Sequence, residues 1–278
     1  MQWLEDHHLP IGTYAAAFVD WLTLNFTFVF DALQRALSTF IDGILFVLQW
    51  PHPFVVVAAF ALIAFAMRRS FAVAAFTAAG FLLIINLGYW KETTETLALV
   101  IAATAVCMII GVPLGVAAAR RDWVYKILRP ILDLMQTIPT FVYLIPALIL
   151  FGLGMVPGLV ATVIFALPAP IRLTRLGIAS TPTQLLEAGE SFGATSMQRL
   201  LKIEIPYALP QIMAGLTQTI MLSLSMVVIS ALVGADGLGK PVVRALNTIN
   251  IGMGFESGLA IVLLAIILDR FFRIEENR

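Results

Sequence analysis

Five long stretches of this chain carry no Asp, Glu, Lys or Arg, and with a shorter apolar run near the C-terminus they constrain its fold more than any other feature. They run 43–67, 70–90, 96–119, 134–171, 205–235 and 257–268. A helix crossing a bilayer needs roughly 20 apolar residues, because hydrocarbon offers its backbone polar groups no partner outside the segment. The first three runs hold one helix each. The fourth is 38 residues long and is interrupted by Gly152-Leu-Gly-Met-Val-Pro-Gly158, which predicts two helices joined by a tight turn. The fifth holds one helix, and the last predicted helix covers about 255–272, extending the final run. This reading gives seven spans, the first at about 50–67 behind Pro51 and Pro53. The expectation is an all-α polytopic membrane protein. With 60% hydrophobic and 12% charged residues and a mean hydropathy of +0.95, the chain lacks the polar surface of a soluble globule.

Seventeen Lys+Arg balance seventeen Asp+Glu, so there is no electrostatic footprint for nucleic acid. The lone Cys107 excludes an intrachain disulfide and argues against a cysteine metal cluster. His7 and His8 are adjacent and His52 lies between prolines; none makes the i,i+4 pair of a metal site, so no metal is expected. The first ten residues carry Glu5 and Asp6 and no Lys or Arg, unlike the basic start of a cleaved signal peptide. Basic residues set the expected orientation. Arg68, Arg69, Arg120, Arg121, Lys126, Arg129, Arg172, Arg175, Arg199, Lys202, Arg270, Arg273 and Arg278 fall on one side, 13 of the 17. Only Arg35, Lys91, Lys240 and Arg244 fall on the other. The positive-inside rule then puts the N-terminus outside and the C-terminus in the cytoplasm.

Residues 13–48 read differently. Asp31, Gln34, Arg35, Ser38 and Asp42 recur three or four apart among Leu33, Leu37, Phe40, Ile41 and Ile44, the pattern of an amphipathic helix on the outer interface. The alternative is an eighth span at 14–30, against which Asp20 near its middle counts. The expected organisation is therefore 1–48 as an extracytoplasmic amphipathic segment, 49–90 as two peripheral spans, and 91–278 as a five-helix core.

Within that core, the connection 172–206 is too long for a simple turn, and long connections tend to be functional. Thr181-Pro182-Thr183-Gln184 reads as a capping box opening a short helix, which Gly193 ends in the left-handed conformation. Thr195-Ser-Met-Gln198 reads as a second box, opening a helix that Pro206 stops. A helix–glycine–helix unit on a cytoplasmic loop is a place for something to dock.

Glu187-Ala188-Gly189, then Gly193, then Ile203-Glu204-Ile205-Pro206 closely resembles the EAA signature of ABC importer permeases: Glu-Ala-Ala, three residues, Gly, nine residues, Ile, any residue, Leu, Pro. Gly189 stands for the second alanine and Ile205 for the leucine. The segments 133–146, 163–168, 220–229 and 264–270 are similar to permeases for quaternary amines, and the likeness covers roughly 88–272. The run Leu232–Lys240 is most like the choline branch, with glycine betaine and proline betaine also open.

The resemblance implies a type I importer core and a bacterial plasma-membrane location. It also implies a second copy of the chain, two ATPase subunits carrying ATP and Mg, and a separate extracytoplasmic binding protein. No cofactor and no catalytic residue belong to this chain, which is expected to be a transport subunit and not an enzyme. In the resemblance, Glu187, Ala188, Gly189, Gly193, Ile203, Ile205 and Pro206 couple the chain to the ATPase.

Polar groups inside spans tend to face the bundle interior or a wet cavity, which marks Gln136, Thr137, Thr140, Tyr143, Thr217, Gln218, Ser223 and Ser225 as pathway candidates. The same groups serve equally as helix–helix hydrogen bonds. Pro139 and Pro146 should kink the fourth span, and the face of Tyr143 suits a cation. Asp133 should pair with Arg129 or Arg172. Gly111-Val-Pro-Leu-Gly115 has the small-xxx-small spacing of close helix contact. Gly234-Ala-Asp-Gly-Leu-Gly239-Lys240 imitates a phosphate-binding loop, but Pro241 stands where a magnesium-binding Ser or Thr belongs. The rival class is a self-sufficient secondary transporter or channel, against which the lack of a clear repeat and of a midplane acid counts.

Overall fold

The computed structural model describes residues 10–272, so His7–His8, Glu5, Asp6, Arg273 and Arg278 lie outside the described residues. These residues fold as helices: α1 Ile11–Gln49, α2 Pro53–Arg68, α3 Phe71–Asn86, α4 Trp90–Arg120, α5 Asp122–Thr137, α6 Thr140–Phe151 and α7 Met155–Ala166. Then come α8 Pro168–Ala179, α9 Thr183–Ser191, α10 Ser196–Arg199, a π turn Leu200–Glu204, α11 Ile205–Ala231, α12 Gly239–Thr248 and α13 Ile251–Phe272.

Five continuous helical stretches are long and apolar enough to cross a membrane: Gly12–Gln49, Trp90–Arg120, Met155–Ala179, Ser196–Ala231 and Ile251–Phe272. A sixth forms if α5 and α6 are joined across their 97° bend. The α2–α3 hairpin occupies the first two predicted spans with 16 residues each, about 24 Å of helix against a hydrocarbon core of about 30 Å. Both helices are cut short locally. Pro53 opens α2 and Arg69, in the left-handed conformation, closes it.

Helix α1 is continuous over 39 residues and bends at Phe26. Beyond the bend, Ile41 and Leu48 are buried, and Phe30 meets Phe151 edge-on at 5.7 Å. Asp31, Arg35 and Asp42 face outward. The amphipathic pattern therefore seats one face on the rest of the fold, and Gln49 Nε2 donates to Thr94 Oγ1 at 2.8 Å to fix its end. Before the bend, Tyr14, Phe18 and Trp21 are exposed.

Helix α4 is the central post, buried along much of its length between α8 and α11. A Cβ on Gly111 would meet Pro170 Cγ at 2.7 Å, and one on Gly115 would meet Thr174 Cβ at 2.6 Å. The small-xxx-small spacing thus lets the α4 and α8 backbones touch.

Three local expectations are corrected. The fourth span does not run on from Leu134. Pro139 has no N–H, and Ile138 before it is extended at ψ 130°, so the chain turns 97° and only the 12-residue α6 continues. Gln136 and Thr137 therefore belong to α5. Helix also continues past Arg172 to Ala179, so the long connection begins eight residues later than expected. Finally, Pro206 does not stop a helix. The π turn Leu200–Glu204 lets the chain run on into α11 with Pro206 in its first turn, where the missing donor is tolerated.

Candidate functional site

The helix–glycine–helix unit is built as its residues suggest, with one shift. Thr181 is not a cap. Pro182 is the N-cap residue of α9 and has no side-chain bond to give, while the Thr181 hydroxyl is buried and without a partner among the described residues. The far end of α9 forms a complete Schellman motif. Gly193 is left-handed at φ +74°, its N–H donates to Glu190 O at 2.9 Å, and the Ala194 N–H donates to Gly189 O at 3.0 Å. The second capping box is complete. Thr195 Oγ1 accepts from the Gln198 N–H, and Gln198 Oε1 accepts from the Thr195 N–H.

This unit presents itself to solvent. Glu187, Ala188 and Gly193 are exposed, Phe192 is 93% exposed, and Leu185, Met197 and Leu201 show apolar surface around them. Ile203 lies over Gly189, whose added Cβ would stand 2.6 Å from Ile203 Cδ1. Glycine in place of the signature's alanine therefore gives that side chain its seat. Ile205 is half-buried and Pro206 exposed.

The sequence reading missed what holds the unit in place. Glu204, the variable position of the signature, is buried, with its side chain 6% exposed. Arg120 at the end of α4 forks onto it, Nε to Oε2 and Nη2 to Oε1, both at 3.2 Å. Arg199 Nε donates to Oε1 at 3.3 Å, and Arg199 also pairs with Glu190 on α9. Arg120 Nη2 reaches Ser196 O at 2.7 Å. Spacing gave no signal here, since Arg120 and Glu204 are 84 residues apart. A cavity of about 680 Å³ opens beside these groups, lined by Val116, Arg121, Ile178, Thr181, Leu186 and others.

The pathway candidates divide. Arg172 binds Asp133 at 2.6 Å and Gln136 Oε1 at 2.8 Å, which bears out the expected ion pair and ties α8 to the bend. Thr137 donates to Asp133 O, and Thr140 sits half-buried in the first turn of α6. Tyr143 is buried against α7 and α11 residues, and its hydroxyl lies 3.1 Å from Met135 O and 3.3 Å from Ile138 O. Its ring shares a buried cluster with Leu144, Ala161, Met226 and Val233. Thr217, Ser223 and Ser225 donate to carbonyls one turn back, and Ser223 is buried. Gln218 and Ser225 are exposed on one stripe of α11 with Tyr207, Ala214 and Gln211, the last a residue the sequence reading passed over. These five recur at spacings of four, three, four and seven residues.

At the opposite end, Lys91, Glu92, Glu95, Asp236, Lys240 and Arg244 surround a cavity of about 240 Å³. The glycine run 234–240 that imitates a phosphate-binding loop lies here. Thr96 Oγ1 accepts the Leu238 N–H at 2.8 Å, and Lys240 pairs with Asp236.

The family described as "Binding-protein-dependent transport system inner membrane component" matches residues 111–278. The chain is 47% identical, over 94% of its length and 93% of the relative's, to the glycine betaine transport system permease protein OpuAB of Bacillus subtilis. It is 43% identical to the glycine betaine/carnitine transport permease protein GbuB of Listeria monocytogenes, over 94% of each chain. It is also 43% identical to the glycine betaine/proline betaine permease ProW of Escherichia coli, over 94% of this chain and 74% of ProW. Inward-facing crystal structures of the MetNI methionine ABC transporter share the fold, at a TM-score of 0.58 and 24% identity, over 63% of this chain and 88% of that one.

Proposed function

The chain belongs to the binding-protein-dependent transport system inner membrane components, multi-pass permeases that are transport subunits and not enzymes, and we propose that it carries glycine betaine inward in two copies. The observation that carries this reading is the exposed α9–Gly193–α10 unit. It presents the signature residues Glu187, Ala188 and Gly193 to solvent, seats Ile203 against Gly189, and continues through Ile205 and Pro206 into a spanning helix.

In this proposal a separate ATPase subunit, holding ATP and Mg, receives the unit. The end bearing Arg120, Arg172 and Arg199 faces the cytoplasm and the N-terminus lies outside. The exposed stripe of α11, with Gln211, Gln218 and Ser225, faces the second copy across the pathway. A binding protein delivers substrate at the end bearing Lys91 and Lys240. The names of the more similar relatives favour glycine betaine over choline, which appears in the name of a 29%-identical relative. A trimethylammonium group carries a charge that cannot be neutralised by proton loss, so the exposed amide oxygens of Gln211 and Gln218 suit it.

The test is uptake of labelled glycine betaine and choline in a transport-deficient host supplying the ATPase and binding protein. Uptake should require the ATPase, and unlabelled glycine betaine should compete better than choline. Gly193→Asp should abolish uptake while membrane levels hold, because α9 keeps its other bonds but loses its docking shape. Uptake that persists without the ATPase would make the chain a transporter in its own right.

A further inference from the structure

We propose that Glu204 is a positioning residue that joins the coupling helix to α4, so that transport per ATP depends on the Arg120–Glu204–Arg199 ion pairs. This inference rests on the reading of α9–α10 as the ATPase-docking unit.

Mechanical logic leads to it. A docking helix can move the spans only through matter that resists compression. Between the unit and the inner ends of α4 and α8 lies the cavity of about 680 Å³, which transmits nothing by itself. Side-chain bonds cross from one wall to the other: the two from Arg120 to Glu204 and the one from Arg120 to Ser196 O. Arg199 then extends the chain of charges from Glu204 to Glu190 on α9. Both carboxylate oxygens of Glu204 are occupied and Arg120 approaches as a fork, a geometry that fixes orientation as well as distance. Beyond Arg120, α4 is held to α8 by the backbone contact at Gly111 and Gly115. A push on α9 therefore reaches the end of α4 through Glu204, alongside the apolar cluster that Leu200 and Ile205 form with Ile178.

Neighbouring charges do not substitute for it. Arg121 is exposed, and Arg175 is held over the Tyr125 ring at 3.5 Å. Asp133 and Arg172 satisfy each other at the bend.

The experiment uses the reconstituted complex of this chain with its ATPase and binding protein. It measures glycine betaine uptake and ATP hydrolysis in the same proteoliposomes. Glu204→Gln keeps the shape and removes the charge. Substrate carried per ATP should fall by about tenfold, the scale of an ordinary coupling between sites, while the ATPase still copurifies. Arg121→Ala, beside the ion pairs but bonded to none of them, should leave the ratio unchanged. A role limited to holding the fold would instead lower uptake and hydrolysis together with the yield of complex, leaving the ratio intact, and that result overturns the proposal.

If Glu204→Gln does not assemble, the double variant Arg120→Cys with Glu204→Cys decides, because it strands neither member of the pair. Bridging the two thiols with a short bismaleimide should restore the ratio. A bridged complex that stays uncoupled overturns the proposal. Failure of the wild-type chain to capture any ATPase would instead strike the docking reading, and the two failures are thereby distinct.

Discussion

Two glycine-bearing loops stand at opposite ends of this molecule, and they differ in how much room surrounds their glycines. In the α9–α10 unit, Gly193 has open space where a Cβ would go, and its glycine is required only by the left-handed turn. In the run 234–240 crowding is added, for although Gly234 and Gly237 are also at positive φ, Gly237 and Gly239 are closely approached. A Cβ on Gly239 would stand 2.3 Å from Val227 O, and one on Gly237 would stand 2.6 Å from Thr96 Oγ1. The first loop is displayed and hangs on ion pairs across a cavity. The second is drawn down onto α4 and α11 by backbone contact and by the Thr96 hydroxyl. A loop meant to be moved by a partner is free of tight packing. A loop that closes the far end of the bundle is not.

The contrast is broken most severely at the crowded loop. Gly239→Leu should cost about 3 kcal/mol or more, since backbone must move to admit it, and should abolish folded protein in a detergent thermal-melting assay. If that variant melts like the parent, crowding is not what the second loop is built on. Next in size, Thr96→Val keeps the volume but leaves the buried Leu238 N–H without its acceptor, at a cost of about 1–3 kcal/mol read from the same melts. The smallest effect belongs to the displayed loop. Gly189→Ala restores the signature residue, and the only close atom is the mobile tip of Ile203, so stability should change by less than about 0.5 kcal/mol and uptake should be retained.

What the sequence made legible follows from range. The apolar runs, the 152–158 turn with Gly152 and Gly154 at positive φ, the Schellman end at Gly193 and the box at Thr195–Gln198 all depend on residues a few positions apart. Residue spacing exposes such features directly. Its failures involve partners distant in the chain. Arg172 reads as a loop residue because it is charged, yet it sits in helix because Asp133 and Gln136 are there to receive it. Pro206 reads as a stop because the π turn that accommodates it has no signature of its own. Glu204 occupies the position the signature leaves free, and only the fold brings Arg120 to it. The candidate site was thus legible as a docking surface and illegible as a linkage.

The glycine contact between α4 and α8 has a consequence for stiffness. Two rods that merely lie side by side bend independently, and their resistances add. Two rods joined along their length bend as one beam, whose resistance rises much faster than its thickness. With Gly111 and Gly115 bringing the α4 backbone directly onto Pro170, Ile171 and Thr174, α4 and α8 form such a beam through the middle of the protein. A displacement applied at one end then arrives at the other as a tilt of the whole and is not dissipated as a local bow.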